Sequence, residues 1–325
     1  MHPALSVIFF TALSGAGYGL LAWTGLAIVS MLLSGDRPQQ GAVPAIWGVL
    51  ILVGLVLVTT GLLSSVLHLG KPGRAWRAFS QWRSSWLSRE GVLALASYVP
   101  AVALLALVAA VASGQPHALL NTAATPLLAA AMLLLSLATV VCTAMIYASL
   151  KPIPAWRHRL VVPGYLAFAL LTGGLLFAVT LALVGVDAAT VQALAVPIAA
   201  AAALVAALKL AYWRAIDREP LPVTRGDALG LPERTPSVFE RPHTEPNYLT
   251  REMVFVLARK HARRLRAIGL VLFGALPVLA AALAWALPAS ATLAFGLAAA
   301  SALAGALVER WLFFAQARHL VSLYY

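Results

Sequence analysis

The stretch PLLAAAMLLLSLATVVCTAMIYASL, residues 126–150, runs for 25 residues without a charged side chain. Wound as an α-helix at roughly 1.5 Å per residue it is about 37 Å long, more than the roughly 30 Å hydrocarbon core of a bilayer. It reads as a transmembrane helix. Outward from it lie seven segments of the same character, at residues 6–33, 43–69, 90–112, 160–184, 191–212, 267–287 and 289–315. Ala, Leu and Val dominate them, and Gly15, Gly17, Gly19, Gly173 and Gly174 fall inside them, as expected where helices in lipid pack through small residues. None alternates polar and apolar over about ten residues, so a β-barrel is excluded. The chain of 325 residues is 62% hydrophobic and 10% charged, against roughly 45–50% apolar in a soluble domain. The expected fold is an all-α membrane protein, a single integral domain over 1–325 built as a bundle of eight transmembrane helices.

The net charge of +12 acquires its meaning from position. The connections after the first, third, fifth and seventh segments carry only Asp36, Arg37 and Asp187. Every other Lys and Arg falls on the opposite side: Lys71, Arg74, Arg77, Arg83 and Arg89; Lys151, Arg157 and Arg159; twelve from Lys209 to Arg266; Arg310 and Arg318. By the positive-inside rule that side is cytoplasmic, which puts both termini of a multi-pass protein in the cytoplasm. The first segment has no Lys or Arg before Arg37 and is too long for a signal-peptide core, so it reads as a retained span. The charge thus speaks for orientation and contact with membrane lipid, not for nucleic acid.

The sixth connection, residues 213–266, is the one large extramembrane segment. Pro220, Pro222, Pro232, Pro236, Pro242 and Pro246 deny it a continuous helix. A helical pattern resumes at Thr250 and ends in Arg259, Lys260, Arg263, Arg264 and Arg266. It reads either as a linker with a basic interfacial helix on anionic lipid or as a strap on a cytoplasmic partner.

Several chemistries are excluded. Cys142 is the sole cysteine, so there is no internal disulfide and no four-cysteine cluster, and no metal site is expected. Of seven histidines only His68 closes a span among other functional groups, so a haem with two axial imidazoles is not expected. Motifs of hydrolases and nucleotide enzymes are missing. Electrons, if they pass, arrive from a partner or on a diffusible carrier.

The densest chemistry lies between His68 and Glu90, with Gly70, Lys71, Pro72, Arg74, Trp76, Arg77, Trp82, Arg83, Trp86 and Arg89. One reading is structural: Gly70 and Pro72 stop a helix, His68 and Glu90 suit helix dipoles, and Trp and Arg mark the membrane edge. The other is a quinone site, with a His and a carboxylate to exchange protons, an Arg to polarise a carbonyl and aromatic walls. Glu309 and Arg310 form a second group, standing either at the surface beyond a span ending at Leu307 or inside it, lining the site. Tyr147, before the Lys151 to Trp156 turn, reads as an interface anchor or a ligand wall.

Met1-His2-Pro3-Ala4 with Ser6 to Phe10, His68-Leu69-Gly70-Lys71-Pro72 through Arg74-Ala75, Ser88-Arg89-Glu90, and Glu309-Arg310 together resemble the DmsC-type membrane anchor subunit of dimethyl sulfoxide reductase. The resemblance covers all eight spans and is most specific between His68 and Glu90. It implies a quinone-reactive, haem-free anchor that holds a molybdopterin catalytic subunit and a four-cluster iron-sulfur subunit, the metal cofactors residing in those partners only. It carries a quinol-site His onto His68, an Arg onto Arg74 and a carboxylate onto Glu90; the residues themselves add Trp76, Trp86, Tyr147, Glu309 and Arg310 as candidates around a ubiquinone or menaquinone. The long proline-rich sixth connection departs from the pattern.

With those partners on the cytoplasmic face, the sequence is most similar to the branch that anchors cytoplasmic sulfite dehydrogenase. The expected function is passage of electrons from sulfite oxidation to quinone. The alternatives are an anchor of dimethyl sulfoxide or a related reductase that oxidises menaquinol, and, from another class, a secondary transporter; the ionisable residues gather at one face rather than at the midplane a transporter uses.

Overall fold

A computed structural model describes residues 4–35, 43–67, 69–237, 239–240, 245 and 257–323, with backbone alone at 257–260. Among the described residues eight helical spans are long and apolar enough to cross a membrane, and there is no strand. They are α1 (Leu5–Leu33), α2 (Val43–Val66), α3 (Trp86–Ala112), α4 (Ala124–Ala148) and α5 (Val161–Leu183). The sixth span comprises α6 (Ala188–Ala193) and α7 (Ala195–Arg218), followed by the short α8 (Arg225–Ala228). The seventh joins α9 (Leu257–Leu270) to α10 (Leu276–Ala286), and the eighth is α11 (Ala291–Ala315).

Two of these boundaries differ from the sequence reading. The sixth span runs on to Arg218, so the connection begins later than residue 213. The basic stretch around Arg263 and Arg266 is not a separate element: α9 continues through a π-helical turn, Val271–Ala275, into α10. Pro277 supplies the cause, because its ring would collide with the carbonyl of Phe273 four residues back, and a wider turn there relieves the collision. The predicted helix start at Thr250 lies outside the described residues.

α1 is the centre of the bundle and packs against α2, α4, α5 and α11. Its crossing with α5 is set by Gly19 and Gly173, where a Cβ on either residue would overlap the other helix's backbone. Trp23 then donates its ring N–H to the Leu170 carbonyl at 2.9 Å. In lipid, where apolar burial drives little association, close backbone approach and such a bond are what hold two helices.

The end of the bundle that carries the basic connections, called the basic end below, is closed by rings. Tyr147 of α4, Trp156, Tyr165 of α5, and Phe313 and Phe314 of α11 pack with centroids 5.2–6.1 Å apart. Trp156 donates to the Phe313 carbonyl at 2.9 Å, and Tyr212 of α7 donates to Ala155 O at 3.0 Å.

Candidate functional site

Pro72 starts a ten-residue 3-10 helix, Pro72–Gln81, none of whose residues is buried. It lies on the first turns of α3. The Phe79 ring covers Gly91 so closely that a Cβ there would come within 2.9 Å of a ring carbon. Arg89 donates to the carbonyls of Trp82 at 3.0 Å and Arg83 at 2.6 Å, and its guanidinium lies 4.3 Å from the Trp86 ring centroid. Arg74 and Trp76 sit on this platform, exposed to solvent. His68 lies outside the described residues.

Glu90 lies one turn inside α3 and takes the opposite direction. Ser88, Glu90, Ala94, Ser97, Ala101 and Leu104 face the interior at helical spacing, and Glu90 is 4% exposed. Its carboxylate accepts a hydrogen bond from the Thr143 hydroxyl of α4, which also lies 3.1 Å from Thr139 O. Among the described residues no cation pairs with it. The structure thus does not bring Arg74 and Glu90 together: one is on the surface of the platform, the other beneath it.

A second polar group stands nearby. α11 continues past Leu307 to Ala315, so Glu309 and Arg310 are interior, at 1% and 4% exposure. Glu309 is ion-paired with Lys209 of α7 and lies 3.3 Å from Arg310. The Arg310 guanidinium rests 3.5 Å from the Tyr165 ring centroid, and the Lys209 ammonium 4.1 Å from that of Tyr212. Lys209 corrects the charge count made from sequence, where it stands with the basic connection; it is buried in a span. The signal that finds it is a lone cation in one apolar run and a lone carboxylate in another, since charges at membrane depth pair with each other.

The two groups meet at a cavity of about 20 Å³, lined among others by Thr11, Ser14, Tyr18, Thr143, Tyr165 and Arg310. That is room for about one water, not for an aromatic ring. The Tyr18 and Tyr165 hydroxyls beside it are buried and make no hydrogen bond among the described residues. Tyr147 belongs to the ring cluster, stacked at 6.1 Å on Tyr165. Thr11, Ser14, Tyr18, Thr143, Tyr165 and Lys209 are members that sequence reading did not single out.

The arrangement sets a buried carboxylate and hydroxyls under an aromatic and cationic rim, all at the end of the bundle where the basic connections lie. A family model for the dimethyl sulfoxide reductase anchor subunit, DmsC, matches residues 1–315. The chain belongs to the DmsC family of membrane anchor subunits. This DmsC-family chain is also 37% identical, over 340 aligned positions covering 100% of it and 99% of the relative, to a sulfite dehydrogenase subunit of Allochromatium vinosum. Eight apolar helices and the family together make it a multi-pass membrane anchor of an oxidoreductase, the assignment that sets the transporter alternative aside.

Proposed function

We propose that this anchor carries electrons from an iron-sulfur partner subunit on the cytoplasmic face of a bacterial inner membrane to the quinone pool. The electrons would come from oxidation of sulfite in a molybdopterin subunit of the same complex. Sulfite and water give sulfate, two protons and two electrons; quinone takes up two electrons and two protons to give quinol. Proton uptake and release then lie on the same side of the membrane, and the anchor moves no net charge across it.

The observation that carries this reading is Glu90: a carboxylate inside the bundle, held by a hydroxyl instead of a cation. A group so placed is suited to passing a proton. In this reading Glu90 and His68 supply protons to the quinone oxygens, and Arg74 reaches a carbonyl oxygen from the platform. Trp76, Trp86 and Tyr147 offer ring surfaces around the same end. The quinone ring needs more space than the cavity beside Thr143 provides, so ring contact calls for an opening at the basic end. Full-length similarity to a sulfite dehydrogenase subunit supports sulfite as the electron source.

Glu90→Gln in the whole complex tests the reading. Quinone-linked sulfite oxidation should fall by about two orders of magnitude or more, the scale of a lost general acid, while turnover with an artificial acceptor persists. Equal loss of both activities would sink it. The family description favours a second reading, electron flow from menaquinol to dimethyl sulfoxide or a related acceptor; supplying each substrate to native membranes and following the redox state of the quinone decides the direction.

A further inference from the structure

From Lys71 to Arg89 the chain carries Lys71, Arg74, Arg77, Arg83 and Arg89 and no carboxylate, interleaved with Trp76, Phe79, Trp82 and Trp86. A stretch with nothing buried in its 3-10 helix would ordinarily be loose. This one is seated on α3 by Phe79 against Gly91 and by Arg89 on the carbonyls of Trp82 and Arg83. Seating without burial leaves an ordered outer surface: Trp76 is 66% and Trp82 53% exposed. The guanidinium groups of Arg77 and Arg83 stand 5.7 and 5.6 Å from the centroids of those two rings.

The ring faces decide what fits this surface. A Trp embedded among acyl chains turns its faces to hydrocarbon, but here a guanidinium lies beside one face of each ring, and carrying it into hydrocarbon is costly. Trp and Arg side chains are among the residues that concentrate binding energy in protein interfaces. Five positive charges with no carboxylate among them complement an acidic protein surface and steer it.

We propose that this platform is the docking face for the electron-donating partner subunit, which meets Arg77, Arg83 and Trp82 with a carboxylate-rich surface. The partner then sits directly over the helix turn that holds Glu90. The proposal rests on the reading of the chain as an anchor with its redox partners at the basic end; it does not depend on quinone chemistry.

The test uses the full complex in native membranes with the double variant Arg77→Glu/Arg83→Glu. The expected result is that the partner subunits retained on the membrane fall about tenfold, with the anchor itself at wild-type level and the released partners still active with an artificial acceptor. Trp82→Ala should weaken retention further as salt is raised, because screening removes the charge contribution that remains. Retention of the partners at wild-type level overturns the proposal. If the double variant does not accumulate, Arg77→Gln/Arg83→Gln decides by the same readout. Quenching of Trp82 fluorescence in the intact complex by lipids brominated on their acyl chains would put the platform in the membrane and equally overturn it. Glu90→Gln separates the two readings: it should keep its partners bound whether or not its quinone turnover is lost.

Discussion

The Thr143 hydroxyl donates to the Glu90 carboxylate across the contact between α3 and α4, and Thr143 also lines the cavity that Arg310 reaches from α11. One threonine therefore connects the two polar groups of the basic end. Thr143→Val removes the donor while keeping the volume and leaves a buried carboxyl with an unmade bond, at about 1–3 kcal/mol for a group so placed. Quinone-linked turnover should fall with artificial-acceptor turnover intact, and Thr143→Ser should restore most of it. Steady-state assays with both acceptors on the three proteins check this.

Lys209 is the second expected sensitivity. Replacing it by Met leaves Glu309 with Arg310 alone in a site closed to water, and removing one partner of a buried pair costs about 3–5 kcal/mol. The variant should melt below wild type in detergent, and Lys209→Met/Glu309→Gln lower still, because the buried Arg310 guanidinium is then left with no carboxylate. Thermal unfolding of the purified complex measures both.

The helix crossings respond selectively to added methyl groups. Gly19→Ala forces α1 and α5 apart, since its Cβ would overlap the Ala169 carbonyl, and should lower yield and melting temperature sharply. Gly15→Ala, four residues earlier on the same helix, meets nothing within 4 Å and should be neutral or stabilising by about 0.5–1 kcal/mol. Equal effects of the two would contradict the crossing described above.

His158 gives the basic end a pH dependence. Burial, with Arg159 and Lys209 adding to it, holds the imidazole below its ordinary value of 6.5, and Glu219 opposes the shift. Its ring edge meets Tyr212 at 5.5 Å, and Nδ1 accepts from the Leu160 N–H at 3.2 Å. The unfolded chain then binds the proton more readily than the folded one. The associated stability is complete above about pH 6.5 and is lost as the pH falls from there through the folded-state value. Melting of wild type should drop more between pH 7.5 and 5.5 than that of His158→Asn; parallel curves would rule the effect out.

Much of the architecture is legible in the residues themselves. Uninterrupted apolar runs such as 126–150 give the spans, because lipid requires every backbone group in a crossing segment to be satisfied within a helix. Where the chain departs from the reading, tertiary packing is the reason. Arg218 is helical because α7 extends beyond its apolar part, and Glu309 and Arg310 are interior because Lys209 on another helix pairs with Glu309 and the Tyr165 ring lies against Arg310.

The candidate site divides in the same way. Glu90 is legible as a carboxylate at the start of a span, and the family resemblance rests on it together with His68 and Arg74. Its partner Thr143 is one hydroxyl among several in an apolar run, with nothing local to distinguish it from Thr139 or Ser136. The residues alone specify the class, the eight spans, the one-sided charge and the family, all properties of positions near one another along the chain or summed over it. Packing in three dimensions is what leaves Arg74 outside while Glu90 turns inward, and what gathers Thr143, Tyr18, Tyr165, Arg310 and Lys209 in one interior. Those outcomes depend on the rotation of each helix about its axis and on which helices adjoin. Apolar runs nearly uniform around their circumference leave that rotation open until glycine crossings and buried ion pairs fix it.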